Sequence, residues 1–197
     1  GSKGEASAGA TGDGIAMLTE KAKQMGIETK YAATESAQAL EYMAMAGWKT
    51  EDRLNGIDGV MKLAAASGED LAIVSDIVTD SMTAVGLQAK DAAHFSDVLA
   101  MASAASNTDV AMLGESFKYV APVAGAMKYS IEDVSLALGL MANSGIKASQ
   151  AGTALRSLLS RMVKPTDEVK DAMKTLGVSL TDAKGNMKPF NDVLGEL

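Results

Sequence analysis

Apolar residues recur every three to four positions along most of the chain, the spacing that places them on one face of an α-helix. The clearest segment runs from Glu69 to Val85, where Leu71, Val74 and Val78 follow this spacing. Every well-patterned segment is helical, and the connections between segments are short. The chain is therefore predicted to be all-α, a bundle of about eight to ten short helices.

Capping residues and glycines mark where these helices begin and end. A side-chain oxygen satisfies the first backbone amides, and glycine accepts the left-handed conformation that follows the last turn. The predicted N-caps are Thr34, Thr50, Asp109, Ser130 and Thr166. The predicted helices run from Asp13 to Met25, Thr34 to Ala46, Glu51 to Ala66, Glu69 to Val85, Asp91 to Ala105, Asp109 to Ala121, Ile131 to Asn143, Ser149 to Val163 and Thr166 to Leu176, and a short last helix begins near Phe190.

Two segments depart from the regular helical pattern. Pro122 removes a backbone hydrogen bond and clashes with the preceding turn, so a kink or a break is predicted near Ala121. Residues 178–180 and 187–189 flank a Gly185-Asn186 turn, which predicts one small β-hairpin near the C-terminus. The predicted domains are a disordered tail or tag over residues 1–12 and a helical domain over residues 13–197, with a sub-boundary near residues 122–130 as the alternative.

A loose repetition accompanies the helix ends. A glycine followed by an apolar residue and then polar residues recurs at Gly47, Gly86, Gly145 and Gly177. The intervals of 39, 59 and 32 residues are irregular, so no regular solenoid repeat is predicted. The pattern indicates helix hairpins joined by short capped turns.

The amino-acid composition argues against disulfides, thiolate metal sites and membrane-spanning segments. Cysteine is absent, which excludes disulfides and thiolate metal sites. The longest apolar run, residues 120–127, is far shorter than the roughly 20 residues that span a bilayer, and it contains a proline and a glycine. No signal peptide or membrane span is predicted. The leading Gly1-Ser2 pair is typical of a cloning remnant, so we expect the sequence to be a fragment of a longer protein.

The net charge of −7 is unevenly distributed. Residues 31–133 carry 15 acidic and 6 basic side chains, whereas residues 134–197 carry 6 acidic and 8 basic ones. The acidic stretch repels phosphate, so nucleic-acid binding by this fragment is not expected. Ordinary surface variation is the favoured interpretation of this polarity, and head-to-tail stacking of neighbouring copies is the alternative.

Few residues are candidates for a catalytic or metal-binding role. His94, the only histidine, lies three residues from both Asp91 and Asp97 on one predicted helix face. This set could contribute to a metal site, but such a site needs three or four converging ligands. A surface or half-buried histidine is the favoured interpretation. Asp76 and Asp80 lie one helical turn apart, as a catalytic carboxylate pair would, and are better explained as part of a solvated face.

Two further motifs favour a structural interpretation. The Ser144-x-x-Lys147 spacing is that of a serine activated by a lysine, but Gly145 intervenes and the segment is predicted to be a turn. The glycines of residues 12–14 precede a helix, yet no strand leads into them and the Lys-Ser/Thr of a phosphate loop is missing. A lytic enzyme would need an acidic residue in an aromatic-lined sugar groove, and only 4% of the residues are aromatic.

Three structural features also stand out. Most of the 13 methionines occupy inward helical positions, so core filling is favoured over a promiscuous binding groove. Trp48 sits at a helix junction, where pinning two helices is favoured over anchoring a partner. Residues 151–154 are small, so a neighbouring backbone is predicted to approach the helix closely at Gly152.

Several strings, in order, resemble phage tail tape measure proteins of the TP901 type. They are residues 39–48 (ALEYMAMAGW), 63–68 (LAAASG) with Asp70-Leu71, Val98-Leu99 with residues 105–108 (ASNT), 117–124 (FKYVAPVA) and, most distinctively, 142–156 (ANSGIKASQAGTALR). The resemblance extends over residues 25–197. Ala121 and Ala148 stand where the family pattern has glycine, which puts local loop geometry in question.

The resemblance implies a long, largely helical structural protein inside the tail tube. Its length would set tail length during assembly, and it would leave the tube when DNA is ejected. The implied partners are the tube, tail chaperones and tail tip, together with copies of the protein itself, in the virion tail and in the host cytoplasm during assembly. The alternative is a generic helical interaction module of a phage or bacterial assembly. No enzyme, catalytic residue, cofactor or metal is predicted.

Overall fold

The chain is largely α-helical over the part that the computed structural model describes, residues 12–196, with a 3-10 turn at Ala89–Asp91 and no helix over residues 177–189. The prediction of an all-α bundle is confirmed. The predicted tail lies outside the described residues, except for Gly12, which begins the first helix. The helices are α1 (Gly12–Glu28), α2 (Ala33–Met45), α3 (Thr50–Ser67), α4 (Leu71–Val85), α5 (Ala92–Ala105), α6 (Val110–Ala126), α7 (Ile131–Asn143), α8 (Ala148–Val163), α9 (Asp167–Leu176) and α10 (Phe190–Gly195).

Several helix starts are capped by the predicted side chains. The Asp109 carboxylate accepts a hydrogen bond from the Met112 amide at 2.7 Å. The Ser130 hydroxyl accepts one from Asp133 at 3.1 Å, and Thr166 caps α9 in the same way. These contacts satisfy amides that have no partner within the helix. These three helices therefore begin directly after a residue whose side chain accepts a hydrogen bond from a first-turn amide.

Two predicted caps were wrong. Thr34 and Thr50 lie inside their helices, which begin at or before them. The helix start is instead fixed by a carboxylate that reaches back: Glu35 accepts from the Ala32 amide at 2.8 Å, and Asp52 accepts from the Lys49 amide at 3.3 Å. An acidic residue in the first turn also interacts favourably with the helix dipole.

The helices are stacked in two rows. Helices α1, α3, α5 and α7 contact one another in succession, and so do α2, α4, α6 and α8. From α1 to α8, each helix also contacts its immediate neighbour in the sequence, so this part of the chain zigzags between the rows. The stack is thus built from contacts between elements that are close in sequence, as in repeat proteins, although the sequence intervals are irregular.

Small residues let neighbouring backbones approach closely along this stack. A Cβ atom placed on Gly59 of α3 would lie 2.7 Å from the Cα of Ala93 in α5. Such close approach leaves little volume for large aromatic side chains. Two phenylalanines nevertheless meet in the core: the rings of Phe95 and Phe117 lie edge to face at 5.6 Å between centroids. This geometry is the favourable one for aromatic pairs.

Methionines fill much of the core, as predicted. Met25, Met43, Met61 and Met82 are buried, and several others pack at its edge. The thioether side chain is unbranched and adapts to the irregular gaps left between short helices.

Of the kink or break predicted near Ala121, the break does not occur, and the kink stays a prediction. Helix α6 continues through Pro122 to Ala126. Val120, Ala121 and Ala124 are fully buried around the proline. Packing on this apolar face holds the helix together although one backbone hydrogen bond is missing. The proposed sub-boundary at residues 122–130 stays a prediction.

The predicted β-hairpin is also wrong. Among the described residues there is no strand, only one isolated antiparallel bridge between Thr181 and Met187. The Asp182 carboxylate accepts hydrogen bonds from the amides of Lys184 and Asn186 at 2.8 and 2.9 Å, which closes a tight local turn. Pro189 follows two residues after the bridge and offers no amide to extend a ladder.

Gly26 does not end α1, which continues to Glu28. A Cβ atom on Gly26 would lie 2.8 Å from the Ala33 nitrogen, so this glycine permits the close approach of α2. Its role is packing rather than termination.

Candidate functional site

Among the described glycines, Gly152 makes the closest approach to the backbone of another helix, at the contact between α6 and α8. A Cβ atom on this residue would lie 2.3 Å from the carbonyl oxygen of Ser116 and 2.9 Å from its carbonyl carbon and Cα. The Ser116 hydroxyl also donates to the Ala148 carbonyl oxygen at 2.8 Å. The close approach predicted for residues 151–154 is therefore present, and its partner is the backbone of α6.

Ala148, at the start of α8, has a φ angle of +50°. This left-handed region is unfavourable for a residue with a Cβ atom. The hydrogen bond from Ser116 holds the Ala148 carbonyl in this strained segment. The strain falls at the position where the tape measure pattern has glycine, so the departure noted in the sequence has a structural consequence.

Trp48 joins the end of α2 to α3. A Cβ atom on Gly56 would lie 2.3 Å from Cζ3 of the indole ring, so the ring rests directly on the backbone of α3. The Trp48 amide donates to the Met43 carbonyl at 3.0 Å and closes the end of α2. These contacts agree with pinning of two helices.

His94 and its two neighbouring aspartates do not converge. His94 Nε2 lies 2.5 Å from Oε1 of Glu132, which links α5 to α7 at the surface. The Asp91 carboxylate accepts from the Gln88 amide at 3.0 Å and serves as a local cap. Within residues 12–196, no three His, Asp or Glu side chains are grouped so that they could hold a metal ion.

Asp76 and Asp80 are exposed on α4, beside a shallow groove of about 350 Å³ next to α6. Desolvation raises the pKa of the Asp76 carboxyl, the charge of Asp80 raises it further, and Lys118 opposes both effects. The pair faces solvent across this groove. This arrangement agrees with the interpretation that both aspartates belong to a solvent-exposed face of the helix.

Ser144 and Lys147 lie in the turn between α7 and α8. The Ser144 hydroxyl donates to the Leu140 carbonyl at 3.2 Å, so it helps to close α7. Lys147 is the residue that precedes the first turn of α8. Both residues therefore lie at helix ends, Ser144 at the end of α7 and Lys147 just before α8. Similarly, Asp13 and Gly14 belong to the first turn of α1.

Two apolar grooves were not foreseen from the sequence. The first, of about 490 Å³, lies between α1 and α2. Arg53 lines it and is only 5% exposed; its guanidinium lies 3.5 Å from the Leu40 carbonyl and 3.4 Å from the Thr50 hydroxyl. Burial lowers the pKa of this guanidinium. The second groove, of about 550 Å³, lies between α8, α9 and the C-terminal segment.

Comparison with known proteins decides the family. A family model described as phage-related minor tail protein matches residues 19–197, nearly the whole chain. The chain belongs to the phage-related minor tail protein family. No solved structure matches it.

Two relatives of this minor tail protein chain are named tape measure proteins. It is 42% identical to the tape measure protein of Pneumococcus phage Dp-1 over 196 residues, which is 100% of this chain and 17% of that protein. It is 31% identical to the probable tape measure protein of Escherichia phage P2 over 183 residues, which is 93% of this chain and 22% of that protein. The chain thus spans about one fifth of the length of these relatives.

The most distinctive string of the family resemblance, residues 142–156, coincides with the tightest part of the minor tail protein fold. It includes the turn after α7, the strained Ala148 and the Gly152 contact with α6. Gly152 is explained by packing, because a side chain at this position would collide with the α6 backbone. Among the described residues, no helix is long and apolar enough to cross a membrane.

Proposed function

We propose that this chain is a folded structural segment of a phage or prophage tape measure protein. In this role the full-length protein sets tail length during assembly and leaves the tail tube when DNA is ejected. The observation that carries the proposal is the 42% identity to a protein named tape measure protein over all of this chain. The second relative, from a different phage, has the same role in its name.

The packing of the chain is consistent with a passive building block. Its helices are joined by short turns and by backbone contacts such as that of Gly152 with Ser116. The residues with candidate chemistry serve as caps, surface ion pairs and turns. A structural role needs a stable, closely packed body, and the core supplies it.

The proposed partners are the other tail proteins: the tube, the tail chaperones and the tail tip. The proposed location is the virion tail, preceded by the host cytoplasm during assembly. The net charge of −7 disfavours direct contact with DNA phosphates, so protein surfaces are the expected targets.

An in-frame deletion tests the proposal. In a phage that encodes the full-length protein, the codons for residues 12–196 are removed and tails are measured by electron microscopy. We expect tails that are uniformly shorter, because the measuring chain is shorter. Tails of unchanged length and unchanged number would overturn the proposal.

The alternative, a generic helical interaction module, predicts a different outcome of the same deletion. The number of complete tails would fall while the length of the remaining tails stayed unchanged. Gly152→Leu and Thr153→Leu form a matched pair for this comparison, since Gly152 is buried against α6 and Thr153 is exposed. Only the first should reduce tail yield, because it destabilises the contact between α6 and α8.

A further inference from the structure

A small pocket lies between α2 and α4, close to where both helices begin. Its volume is about 250 Å³, slightly below the roughly 300–1,000 Å³ of pockets that hold small-molecule ligands, so it suits a single side chain. The two helices are neighbours within one row of the stack, so the pocket involves neither end of the chain. We call it the tyrosine pocket; its polar and aromatic lining residues are Tyr31, Glu35, Gln38, Tyr42, Glu69 and Asp70.

The tyrosine pocket is acidic. Glu35, Glu69 and Asp70 line it, whereas none of its described lining residues is basic. None of the three carboxylates forms an ion pair with a described residue. Glu35 and Asp70 each use one oxygen to accept from backbone amides at a helix start, and their second oxygens accept no hydrogen bond from the described residues. The two helix starts contribute roughly half a positive charge each, so the pocket remains negative.

Tyr31 gives the pocket an unused hydroxyl. The residue is only 9% exposed, yet this hydroxyl makes no hydrogen bond to a described residue. Burial raises the pKa of the hydroxyl, and the charges of Glu35 and Asp70 raise it further, so the hydroxyl lies near two carboxylates of the pocket. A buried tyrosine hydroxyl usually has a hydrogen-bond partner. Because the groups around it are acceptors, the missing partner is a donor, and the negative charge favours a cationic one.

Tyr42 contributes a second aromatic ring to the same pocket. The ring of Tyr31 already attracts one cation from outside the pocket: Nζ of Lys30 lies 5.3 Å from the ring centroid, but Lys30 does not line the pocket. Tyrosine rings and carboxylates together favour a guanidinium, because its flat surface stacks on aromatic rings and its fork of N–H groups donates to several oxygens at once. The ammonium group of lysine offers neither the plane nor the fork.

We propose that the tyrosine pocket binds an arginine side chain of a partner protein. The guanidinium donates to the Tyr31 hydroxyl and to the free oxygens of Glu35 and Asp70, while the apolar stem packs beside Tyr42. Arginine is enriched at protein interfaces, where one buried side chain often contributes much of the affinity. The pocket is formed by this chain alone, so the proposal does not rest on the tape measure role.

An NMR titration of the isotope-labelled chain with the blocked tripeptide acetyl-Gly-Arg-Gly-amide tests the proposal. The amide signals of Glu35, Tyr42 and Asp70 should shift and reach saturation as the peptide concentration rises into the millimolar range. The same peptide with citrulline, which is neutral and has nearly the same shape, should cause no shift. The lysine peptide should bind more weakly than the arginine peptide. Methylguanidinium, which has the charge without the stem, should also bind more weakly.

Three variants locate the binding in the pocket. Glu35→Gln and Asp70→Asn keep a side-chain oxygen for the helix start, and each should weaken binding by about two- to fivefold, the effect of a partly exposed ion pair. Tyr31→Phe removes only the unused hydroxyl, so it should weaken binding without lowering the melting temperature. Glu41→Gln is the matched control: Glu41 is exposed on the same helix and does not line the pocket, so removing its charge should leave the affinity unchanged.

Several results would overturn the proposal. One is the absence of saturable shifts with the arginine peptide. Others are equal binding of the citrulline peptide, which would remove the role of charge, and equal binding of methylguanidinium, which would indicate a site for small cations instead of a protein partner. Shifts of equal size around Asp76 and Asp80 would show unspecific attraction to acidic faces. A Tyr31→Phe chain with wild-type affinity, or a Glu41→Gln chain as weakened as Asp70→Asn, would also contradict it.

Discussion

Replacing Gly152 by alanine adds one methyl group at the closest backbone contact of the fold. The new Cβ atom would lie 2.3 Å from the Ser116 carbonyl oxygen and 2.9 Å from two further backbone atoms. These atoms belong to the middle of α6, so no flexible side chain can move aside. Either α8 shifts away from α6 or the helices remain strained.

The expected loss of stability is the difference between two effects. Overpacking of this kind costs about 1–3 kcal/mol, and the upper part of that range applies when the obstacle is backbone. Alanine is a better helix former than glycine by about 1 kcal/mol. The free energy of unfolding should therefore fall by about 2 kcal/mol, which lowers the melting temperature by about 4–8 °C for a chain of this length. Gly152→Leu should cost more.

Urea denaturation followed by circular dichroism at the helical band measures this loss. Thr153→Ala in the same helix is the control, because Thr153 is exposed and its replacement should leave the midpoint nearly unchanged. A Gly152→Ala protein as stable as the wild type would refute the close contact between α6 and α8, and with it the packing argument for this part of the stack.

Four other substitutions have expected outcomes. Ala148→Gly should raise the free energy of unfolding by about 0.5–1 kcal/mol in urea denaturation by relieving the left-handed strain, whereas Ala154→Gly, at an exposed helical position, should lower it by a similar amount. Gly56→Ala should displace the indole of Trp48, the only tryptophan, and shift its fluorescence to longer wavelength. Asp76→Asn should raise the melting temperature at pH 7. The pKa of this carboxyl is raised in the folded state, so its ionised form is disfavoured at neutral pH; the advantage should disappear once the pH falls below the ordinary aspartate range.

Local sequence patterns predicted the helices well because each pattern is satisfied within one or two turns. The apolar spacing from Glu69 to Val85 corresponds to α4, whose apolar face is buried. The caps at Asp109, Ser130 and Thr166 depend on a side chain and an amide only a few residues apart.

Two predictions failed for different reasons. Pro122 is exposed and remains inside α6 because the opposite face of the helix, with Val120, Ala121 and Ala124, is buried against other helices, which the local sequence does not reveal. The hairpin prediction failed locally, because the Asp182 carboxylate closes a tight turn with the amides of Lys184 and Asn186. The stacking of helices in two rows is likewise a long-range property. Irregular turn lengths conceal it from any search for a fixed repeat.

The candidate site was only partly predictable. The small residues around Gly152 indicated a close contact but not its partner, which is the Ser116 backbone. The groove between α8 and α9 depends on how far apart the two helices lie, and single-helix patterns carry no information on that distance.

Tail length after an in-frame duplication of residues 12–196 tests the central claim most directly, because one complete copy of the segment remains for assembly. A folded body of this size is about 40 Å across, whereas the same residues as one continuous helix would extend about 280 Å. The account predicts tails that are uniformly longer by about the smaller of these lengths. Tails of unchanged length would contradict the tape measure role, and an increase near the larger length would contradict a segment that stays folded in the tail.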